Sequence, residues 1–511
     1  MEEKAALKKG IDSKEIRNIA IIGIITFFIT FFVCPFSPYY RYVYSYDEVC
    51  YKILVKGLFE GRLPYRDLFD HKGPLTYLIF AVGYLLTGKH DFGMWIISAI
   101  VDSVGFAFAY KMSCLRLKKD TALLSTVIMI LLISVHIEDY NTNIFVTGSK
   151  PDNFVFVLLM ISAYLLIREA CFTKKDHVVS LKAMFIIGLL CGGVFLIKLN
   201  VCLLYLAFIG CYFLWLIIRK KFMDFLKACG VFLGGIIVLM IPFLIFFLAT
   251  GSLKDFIDIY FIFNSQYATD FTGFFLTEGL ITWASRIGFS ILLILTIAAF
   301  VLDIRKKKEK IQTIVIAVLF AVTFLMLTAS LVYPYFFIVF MVFMVYGTDL
   351  AAEKLDFILH DKIDALKIAV GFVAVTVCFT ILSSVFFPLI PRQKAEYETK
   401  IEEYSAKVPD AKYLFFTSLC FPIYDKYLGG PATAQFYTPN YMSDEMLIEQ
   451  TEAVKTLSAD VVVYPVIIGE EHIETENDLV GKICECGYTV YQTYESTDKV
   501  YTIYMLVKEQ A

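Results

Sequence analysis

Long apolar runs recur from residue 19 to residue 389, and they constrain the fold of this chain more than any other feature. A helix that crosses a membrane needs about 17–25 predominantly apolar residues. Only 19% of the residues are charged, whereas about a quarter are charged in a typical soluble protein. We therefore predict an α-helical polytopic membrane protein with about eleven spans, at 19–36, 93–114, 121–137, 153–168, 181–198, 200–218, 228–249, 284–303, 311–330, 332–348 and 367–389.

The basic residues predict how these spans are oriented. The run 73–87 has fifteen residues, which suits a helix lying along the membrane surface better than a span. With that placement, all the basic clusters fall on one side of the membrane, and Lys8, Lys9 and Arg17 lie on the same side. The clusters are 116–119, 174–175, 219–221 and 305–308. Since cytoplasmic loops are enriched in Lys and Arg, we expect a cell-membrane protein with its N-terminus in the cytoplasm and its C-terminus outside.

Three regions follow from this topology: a cytoplasmic segment 1–18, a transmembrane domain 19–390 and a C-terminal domain 395–511. Long external loops are predicted near 35–92 and 251–282. The C-terminal region alternates helix-like and strand-like segments, which is typical of a small extracytoplasmic α/β domain. The segments are helix-like at 444–457 and strand-like at 413–417, 461–464, 488–494 and 500–507.

The composition and motifs exclude some partners. A net charge of −3 gives no support to nucleic-acid binding. The sequence has neither the glycine-rich phosphate loop nor the dinucleotide-binding fingerprint that would hold a soluble nucleotide.

The first predicted external loop is unusually rich in charge. Asp47 and Glu48 precede a helical pattern, and acidic residues there would also suit the positive end of a helix. The stretch 61–74 then contains three cations, two carboxylates and a histidine. A solvated linker is the simplest interpretation of such a stretch, but the interleaved Tyr65 and Phe69 argue against it.

Further polar residues are predicted at the same membrane boundary. Lys150 and Asp152 lie where a span re-enters the membrane, and Lys198 ends a span. A lysine in that position can also extend its ammonium group to the interface. A charge at the boundary that faces other charged loops is otherwise a candidate for a functional site. Asp102 lies in the middle of a span and receives no role.

In their order and topological place, these residues resemble the membrane-embedded GT-C glycosyltransferases. The resemblance is to the branch of the protein O-mannosyltransferases and the lipid A aminoarabinose transferase (glycosyltransferase families 39 and 83), and it covers roughly residues 15–390. Those enzymes have an Asp-Glu pair early in the first external loop, then a His-Lys-x-Pro or Lys-Pro element, an Asp that begins the fourth span and a Lys that ends the fifth. The matching residues are Asp47-Glu48, Asp70-His71-Lys72-Gly73-Pro74, Asp152 and Lys198.

The resemblance implies an inverting transfer of a sugar from a polyprenyl-phosphate donor to a hydroxyl group of a lipid, cell-wall glycan or protein outside the cell. Asp47 would be the general base, with Glu48 orienting it or acting through like-charge proximity. The donor phosphate would be bound by Lys72 and Lys198, with His71 and Arg66 behind them. Candidate substrate-binding residues are Asp70, Asp152, Asn264, Tyr267 and Tyr335.

The sequence departs from the family pattern in one of the late spans. The stretch 330–336 has tyrosines and no cation, where related enzymes often carry a basic residue that helps to hold the donor phosphate. The sequence also leaves room for a divalent cation, Mg²⁺ or Mn²⁺, with oxygen ligands from Asp47, Glu48 and Asp152.

Two other functional classes fit a polytopic chain. A transporter or flippase of lipid-linked sugars would carry charges at mid-membrane depth and often internal repeats. Here the polar residues collect mainly at the outer boundary, and no repeat is visible. A non-catalytic scaffold that displays the C-terminal domain would not explain the charged first loop.

Overall fold

A computed structural model describes most of the chain. The described residues are 12–39, 46–87, 92–134, 149–173, 178–266, 287–305, 310–328, 338–359, 362–386, 396–416, 431–437, 444–467, 473–495 and 500–509. The region up to residue 386 is helical, and a small sheet with helices follows it. The predicted class, a helical membrane protein with a C-terminal α/β unit, is therefore confirmed.

The helices of the first region form a bundle, and they differ widely in length. In chain order they are α1 (Ser13–Val33), α2 (Tyr46–Phe59), α3 (Pro74–Leu86), α4 (Phe92–Ser113), α5 (Lys119–Ser134), α6 (Pro151–Ile167), α7 (Leu181–Ile197), α8 (Leu199–Ile218), α9 (Phe222–Ala249), α10 (Leu253–Ile257), α11 (Ile287–Arg305), α12 (Lys310–Thr328), α13 (Met341–Leu359) and α14 (Ala365–Phe386). Six-residue π-helical turns follow α6 and α10, at Arg168–Thr173 and Asp258–Phe263.

Seven helices in the described part of the chain are long and apolar enough to cross a membrane. They are Ser13–Val33, Phe92–Ser113, Pro151–Phe172, Leu199–Ile218, Phe222–Ala249, Gly288–Arg305 and Ala365–Leu382, and shorter apolar helices lie at Pro74–Leu86, Leu181–Ile197 and Thr313–Leu325. The predicted count of eleven spans is thus not confirmed. Helix α3 forms within the run 73–87, and at 1.5 Å per residue it is about 20 Å long, shorter than the roughly 30 Å hydrocarbon core.

Helices α7 and α9 pack in parallel with their backbones close together. A Cβ atom on Gly188 would lie 2.2 Å from the carbonyl oxygen of Phe232, and one on Gly192 would lie 3.2 Å from that of Ile236. Small residues permit such an approach between membrane helices. The contact fixes the C-terminal end of α7, directly before Lys198, relative to the C-terminal end of α9.

Ion pairs connect the helices at one end of the bundle. Arg17 of α1 pairs with Asp120 of α5. Nζ of Lys119 lies 2.8 Å from Asp12 and 3.2 Å from Glu15. At the opposite end, the segment between α2 and α3 meets the ends of α7 and α9.

The C-terminal unit contains α15 (Glu396–Lys407), β1 (Tyr413–Phe415), α16 (Asp444–Lys455), β2 (Val461–Ile467), α17 (Ile473–Glu485), β3 (Tyr488–Glu495) and β4 (Tyr501–Lys508). The strand order is β1-β2-β4-β3, with β1 parallel to β2 and the other two pairs antiparallel. Alternate side chains face opposite ways: Tyr413 and Phe415 join the buried cluster of the helical region, whereas Leu414 packs in a separate cluster with residues of α16 and α17.

Candidate active site

The acidic pair lies in the first turn of α2. The N-terminus of a helix favours negative charge, which accounts locally for Asp47 and Glu48 at this position. Glu48 is completely buried, and Oγ of Ser149 lies 3.5 Å from its Oε1. Burial raises the pKa of Glu48 to about 7; nearby Lys150 opposes this rise, and Asp47 adds to it.

The segment 61–73, here called the site loop, is held in a constrained conformation. Tyr65 has φ 70°, a left-handed conformation that is uncommon for a residue other than glycine. Its ring is buried against Tyr77, Phe247 and Phe256, and its hydroxyl group donates to the carbonyl of Lys72 at 2.7 Å. The packing around Tyr65 therefore holds the loop conformation that presents Lys72.

Arg66 fastens the site loop to the end of α9. Its Nε lies 3.0 Å from the carboxylate of Asp255, and its other nitrogens donate to the carbonyls of Thr250 and Gly251. These contacts anchor the site loop, and the phosphate-binding role suggested for Arg66 stays a prediction.

Asp70, His71 and Lys72 form a connected series. Nζ of Lys72 lies 2.8 Å from Nε2 of His71, and Nδ1 of His71 lies 3.8 Å from Oδ1 of Asp70. Burial, followed by the charges of Lys72 and Lys198, lowers the pKa of His71 well below its usual value. His71 is therefore neutral, and its Nε2 accepts a hydrogen bond from the Lys72 ammonium group. Burial also raises the pKa of Asp70, to whose Oδ2 the Tyr77 hydroxyl donates at 3.0 Å.

Lys198 and Asp152 form a buried ion pair. Lys198 is the single extended residue between α7 and α8, and Asp152 lies in the first turn of α6. The distance from Nζ to Oδ1 is 2.7 Å, and the side chains are 12% and 2% exposed. The charges of Lys72 and Asp47 also act on Lys198. The structure thus brings together candidate residues from three separate parts of the chain.

Gly73 allows the site loop to lie directly against α7. Its N–H donates to the carbonyl of Ile197 at 3.1 Å, and a Cβ atom at this position would lie 2.1 Å from the carbonyl oxygen of Leu196. From the other side, Nδ2 of Asn264 donates to the carbonyl of His71 at 2.8 Å. Sequence reasoning missed the role of Gly73, although a glycine directly before a helix-initiating proline was an available signal.

Replacing Gly73 with alanine is expected to lower stability. The added methyl group cannot fit beside the Leu196 carbonyl, and overpacking of this kind costs about 1–3 kcal/mol. Thermal unfolding of the purified protein in detergent measures the effect. Gly210→Ala is the matched control, because a Cβ atom there meets nothing within 4 Å. Equal melting temperatures for wild type and Gly73→Ala would contradict the close approach.

The other candidates divide into two groups. Tyr267 and Tyr335 lie outside the described residues. The suggested metal ligands do not form a site: no group of three or more His, Cys, Asp or Glu side chains in the described part of the chain is placed to hold a metal ion. Asp152 is instead paired with Lys198, so we derive no step through a metal.

An apolar cleft begins below the ion pair, between α6, α8 and the start of α13. It is narrow and open on one side, and it is lined by Leu159, Ser162, Ala163, Leu166, Leu204, Tyr205, Phe208, Ile209, Val339 and Val342. Leu159 and Leu204 lie about two helical turns from Asp152 and Lys198, respectively. The cleft therefore lies in the apolar part of the bundle, about 10 Å along the helices from the Asp152–Lys198 pair.

Comparison with known proteins supports the resemblance predicted from the sequence. A family model described as dolichyl-phosphate-mannose-protein mannosyltransferase matches residues 71–251. No curated protein sequence matches the chain.

Solved structures show the same fold over nearly the whole chain. ArnT from Cupriavidus metallidurans, bound to undecaprenyl phosphate, is 11% identical with a TM-score of 0.59, covering 96% of this chain and 97% of that one. The Archaeoglobus fulgidus oligosaccharyltransferase tethered with an acceptor peptide is 12% identical with a TM-score of 0.53, covering 97% and 74%. The same archaeal enzyme with an inhibitory peptide and a dolichol-phosphate is 10% identical with a TM-score of 0.50 and the same coverage. The chain thus has a GT-C-like fold, as its sequence predicted.

Proposed function

We propose that this protein, like the GT-C glycosyltransferases that it resembles, transfers a sugar from a polyprenyl-phosphate donor to a hydroxyl acceptor with inversion. The observation that carries the proposal is that Asp47, the site loop with Lys72, and the Asp152–Lys198 pair lie at one end of the bundle. Glu48 next to Asp47 approaches Ser149 just before α6, and Gly73 next to Lys72 donates to the carbonyl of Ile197 next to Lys198. The reaction needs a carboxylate that accepts the proton of the acceptor and cations placed beside the leaving phosphate.

In the proposed reaction, the acceptor hydroxyl attacks the anomeric carbon while the carboxylate of Asp47 takes its proton. The bond between the anomeric carbon and the phosphate oxygen breaks, and its electron pair leaves with the polyprenyl phosphate. Lys72 and Lys198 stabilise the charge that develops there. Neutral His71 holds the ammonium group of Lys72, and Asp152 holds that of Lys198.

The basic residues support a site that faces away from the cytoplasm. Arg17, Arg116 and Lys119 lie at the bundle end opposite the site, together with the turn 219–221 and Arg305. Basic residues are enriched on the cytoplasmic side. Nucleotide sugars do not generally reach the outer face, so we propose that the activated sugar arrives on a membrane lipid.

The apolar cleft supports a lipid carrier. A polyprenyl phosphate has a charged end and an apolar chain, and the cleft begins about two helical turns below the Asp152–Lys198 pair. We propose that the first isoprene units lie along α6 and α8 while the phosphate lies beside Lys198. The carriers bound to the similar structures, undecaprenyl phosphate and a dolichol-phosphate, have this general chemistry.

The activity is expected to rise with pH around pH 7. The pKa of Glu48 is about 7, so the group carries its proton below this pH and is ionised above it. An ionised Glu48 places a second negative charge beside Asp47. This charge favours transfer of the acceptor proton to the Asp47 carboxylate. Initial transfer rates between pH 5.5 and 8.5 measure the profile. Glu48→Gln should flatten it, and an unchanged profile in that variant would assign the ionisation to another group.

The proposal is tested by incubating purified wild-type protein in detergent with a panel of radiolabelled polyprenyl-phosphate sugars and mixed hydroxyl acceptors. Transfer of label from the lipid to an acceptor supports the glycosyltransferase, and the consumed donor identifies the sugar. If no donor is consumed, but labelled lipid moves from one leaflet to the other in protein-containing vesicles, the flippase alternative replaces the proposed glycosyltransferase function.

A further inference from the structure

The segment 431–437, here called the bridging segment, runs along the first strand of the C-terminal sheet. The N–H of Ala432 donates to the carbonyl of Tyr413 at 3.0 Å, and the N–H of Phe415 donates to the carbonyl of Phe436 at 3.1 Å. Gln435 stabilises it further: its Nε2 donates to the carbonyl of Tyr437 at 2.7 Å, and its own carbonyl accepts from Gln450 of α16 at 3.1 Å. The bridging segment is therefore fixed to the C-terminal unit.

The same segment is hydrogen-bonded to the site loop on its other side. The N–H of Phe69 donates to the carbonyl of Ala434 at 3.0 Å, and Nη1 of Arg62 donates to the carbonyl of Pro431 at 3.3 Å. Phe69 directly precedes Asp70, so main-chain hydrogen bonds connect β1, through the bridging segment, to the residue next to the Asp70–His71–Lys72 series.

The end of the bridging segment also reaches α2. The side chain of Tyr437 lies beside that of Cys50, and both residues are buried. Cys50 follows Asp47 by three positions, and residues three apart in a helix lie on the same face. One short segment of the C-terminal unit therefore contacts both the helix that carries Asp47 and the loop that carries Lys72.

We propose that the C-terminal unit is a working part of the site, and that Tyr437 is a positioning residue which sets α2, and with it Asp47, relative to the site loop. This inference rests on the proposed function, in which Asp47 and Lys72 act on opposite sides of one anomeric carbon. Their separation has to be held closely, because a displacement of about 1 Å can lower a rate about 100-fold. The bridging segment contacts both α2 and the site loop, beside the contacts that Tyr77 of α3 makes with Tyr51 and Asp70.

The test removes the Tyr437 hydroxyl group, which lies beside Cys50, while keeping the ring and its packing. Tyr437→Phe is expected to lower the turnover number about fivefold, the size expected for loss of one neutral hydrogen bond, with little change in KM for the lipid donor. Cys50→Ala should have a similar effect, and the double variant should be no worse than either single variant, because both remove the same interaction. Cys50→Ser, which keeps a hydrogen-bonding group, should retain most of the activity.

Hydrogen–deuterium exchange gives a readout that does not depend on activity. Peptides covering residues 62–73 should exchange faster in Tyr437→Phe than in wild type. The control is Tyr491→Phe: Tyr491 is exposed and contacts Tyr404 through its ring, so exchange in 62–73 and turnover should both stay at wild-type values. Unchanged exchange and turnover in Tyr437→Phe would overturn the inference, as would equal effects of the Tyr491 control. If wild type transfers no sugar, the proposed function fails, and faster exchange in Tyr437→Phe then supports only the structural contact.

Discussion

Replacing Asp47 with asparagine is expected to reduce sugar transfer about 10²–10⁴-fold, the usual contribution of a general base. The amide keeps the size of the side chain, and Asp47 lies at the start of α2 rather than within its packed part, so the protein should remain folded. The measurement is the release of radiolabelled sugar from the lipid donor by purified wild type and variant, with melting temperatures recorded in parallel.

Glu60→Gln is the matched control for this experiment. Glu60 directly follows α2 and is exposed, so removing its charge should leave transfer unchanged. An Asp47→Asn protein that transfers sugar at the wild-type rate would rule out Asp47 as the base. Loss of transfer in both variants would indicate a general effect of charge in this loop rather than a specific role for Asp47.

Replacing Lys198 with glutamine is expected to have the second-largest effect, on both stability and transfer. Asp152 is 2% exposed and would lose the ammonium group that lies 2.7 Å away. Breaking a buried pair by removing one partner costs about 3–5 kcal/mol. We also expect transfer to fall about 10²–10³-fold, because a cation proposed to hold the leaving phosphate is lost. Thermal unfolding and donor consumption measure the two effects separately.

A double variant separates these two roles of Lys198. Combining Lys198→Gln with Asp152→Asn leaves no uncompensated carboxylate, so stability should largely return while transfer stays low. As a control, Lys254→Gln removes an exposed ion pair with Asp258 near the same end of the bundle and should change little. Restored transfer in the double variant would show that Lys198 serves folding alone.

The positions of the main site residues could be predicted because each one lies at a helix end. Asp152 and Lys198 lie at the ends of apolar runs, Asp47 lies in the external loop after the first run, and the positive-inside argument placed all three on one side of the membrane. Helix ends on one side of the membrane lie at the same depth, so the order of apolar runs and basic clusters along the sequence was enough to group these residues. The structure adds that Lys198 and Asp152 are in direct contact.

Contacts between distant backbone segments could not be predicted in the same way. The place of Gly73 depends on the carbonyls at the end of α7, and that of Phe69 depends on Ala434. Neither contact produces a periodic pattern in the sequence. The contact between Arg66 and Asp255 illustrates the same limit, because the position of Arg66 beside other charges in the sequence did not reveal it.

Strand positions in the C-terminal unit were predicted well because alternation is local. The strand expected at 488–494 is observed at Tyr488–Glu495, and the one expected at 500–507 is observed at Tyr501–Lys508.

The number of membrane spans was harder to predict. Helix α7 has only 17 residues, so length does not distinguish a short span from a helix that ends inside the bundle.

The hydrogen bond between Phe69 and Ala434 joins residues that are made at very different times. During synthesis, at about 5–20 residues per second, the site loop waits on the order of tens of seconds for the bridging segment to emerge. A nascent chain that has inserted all of its apolar helices therefore still lacks the contact between the bridging segment and the site loop. Attachment of the bridging segment to the site loop is consequently one of the last steps in the biogenesis of this protein, after its passage into the membrane.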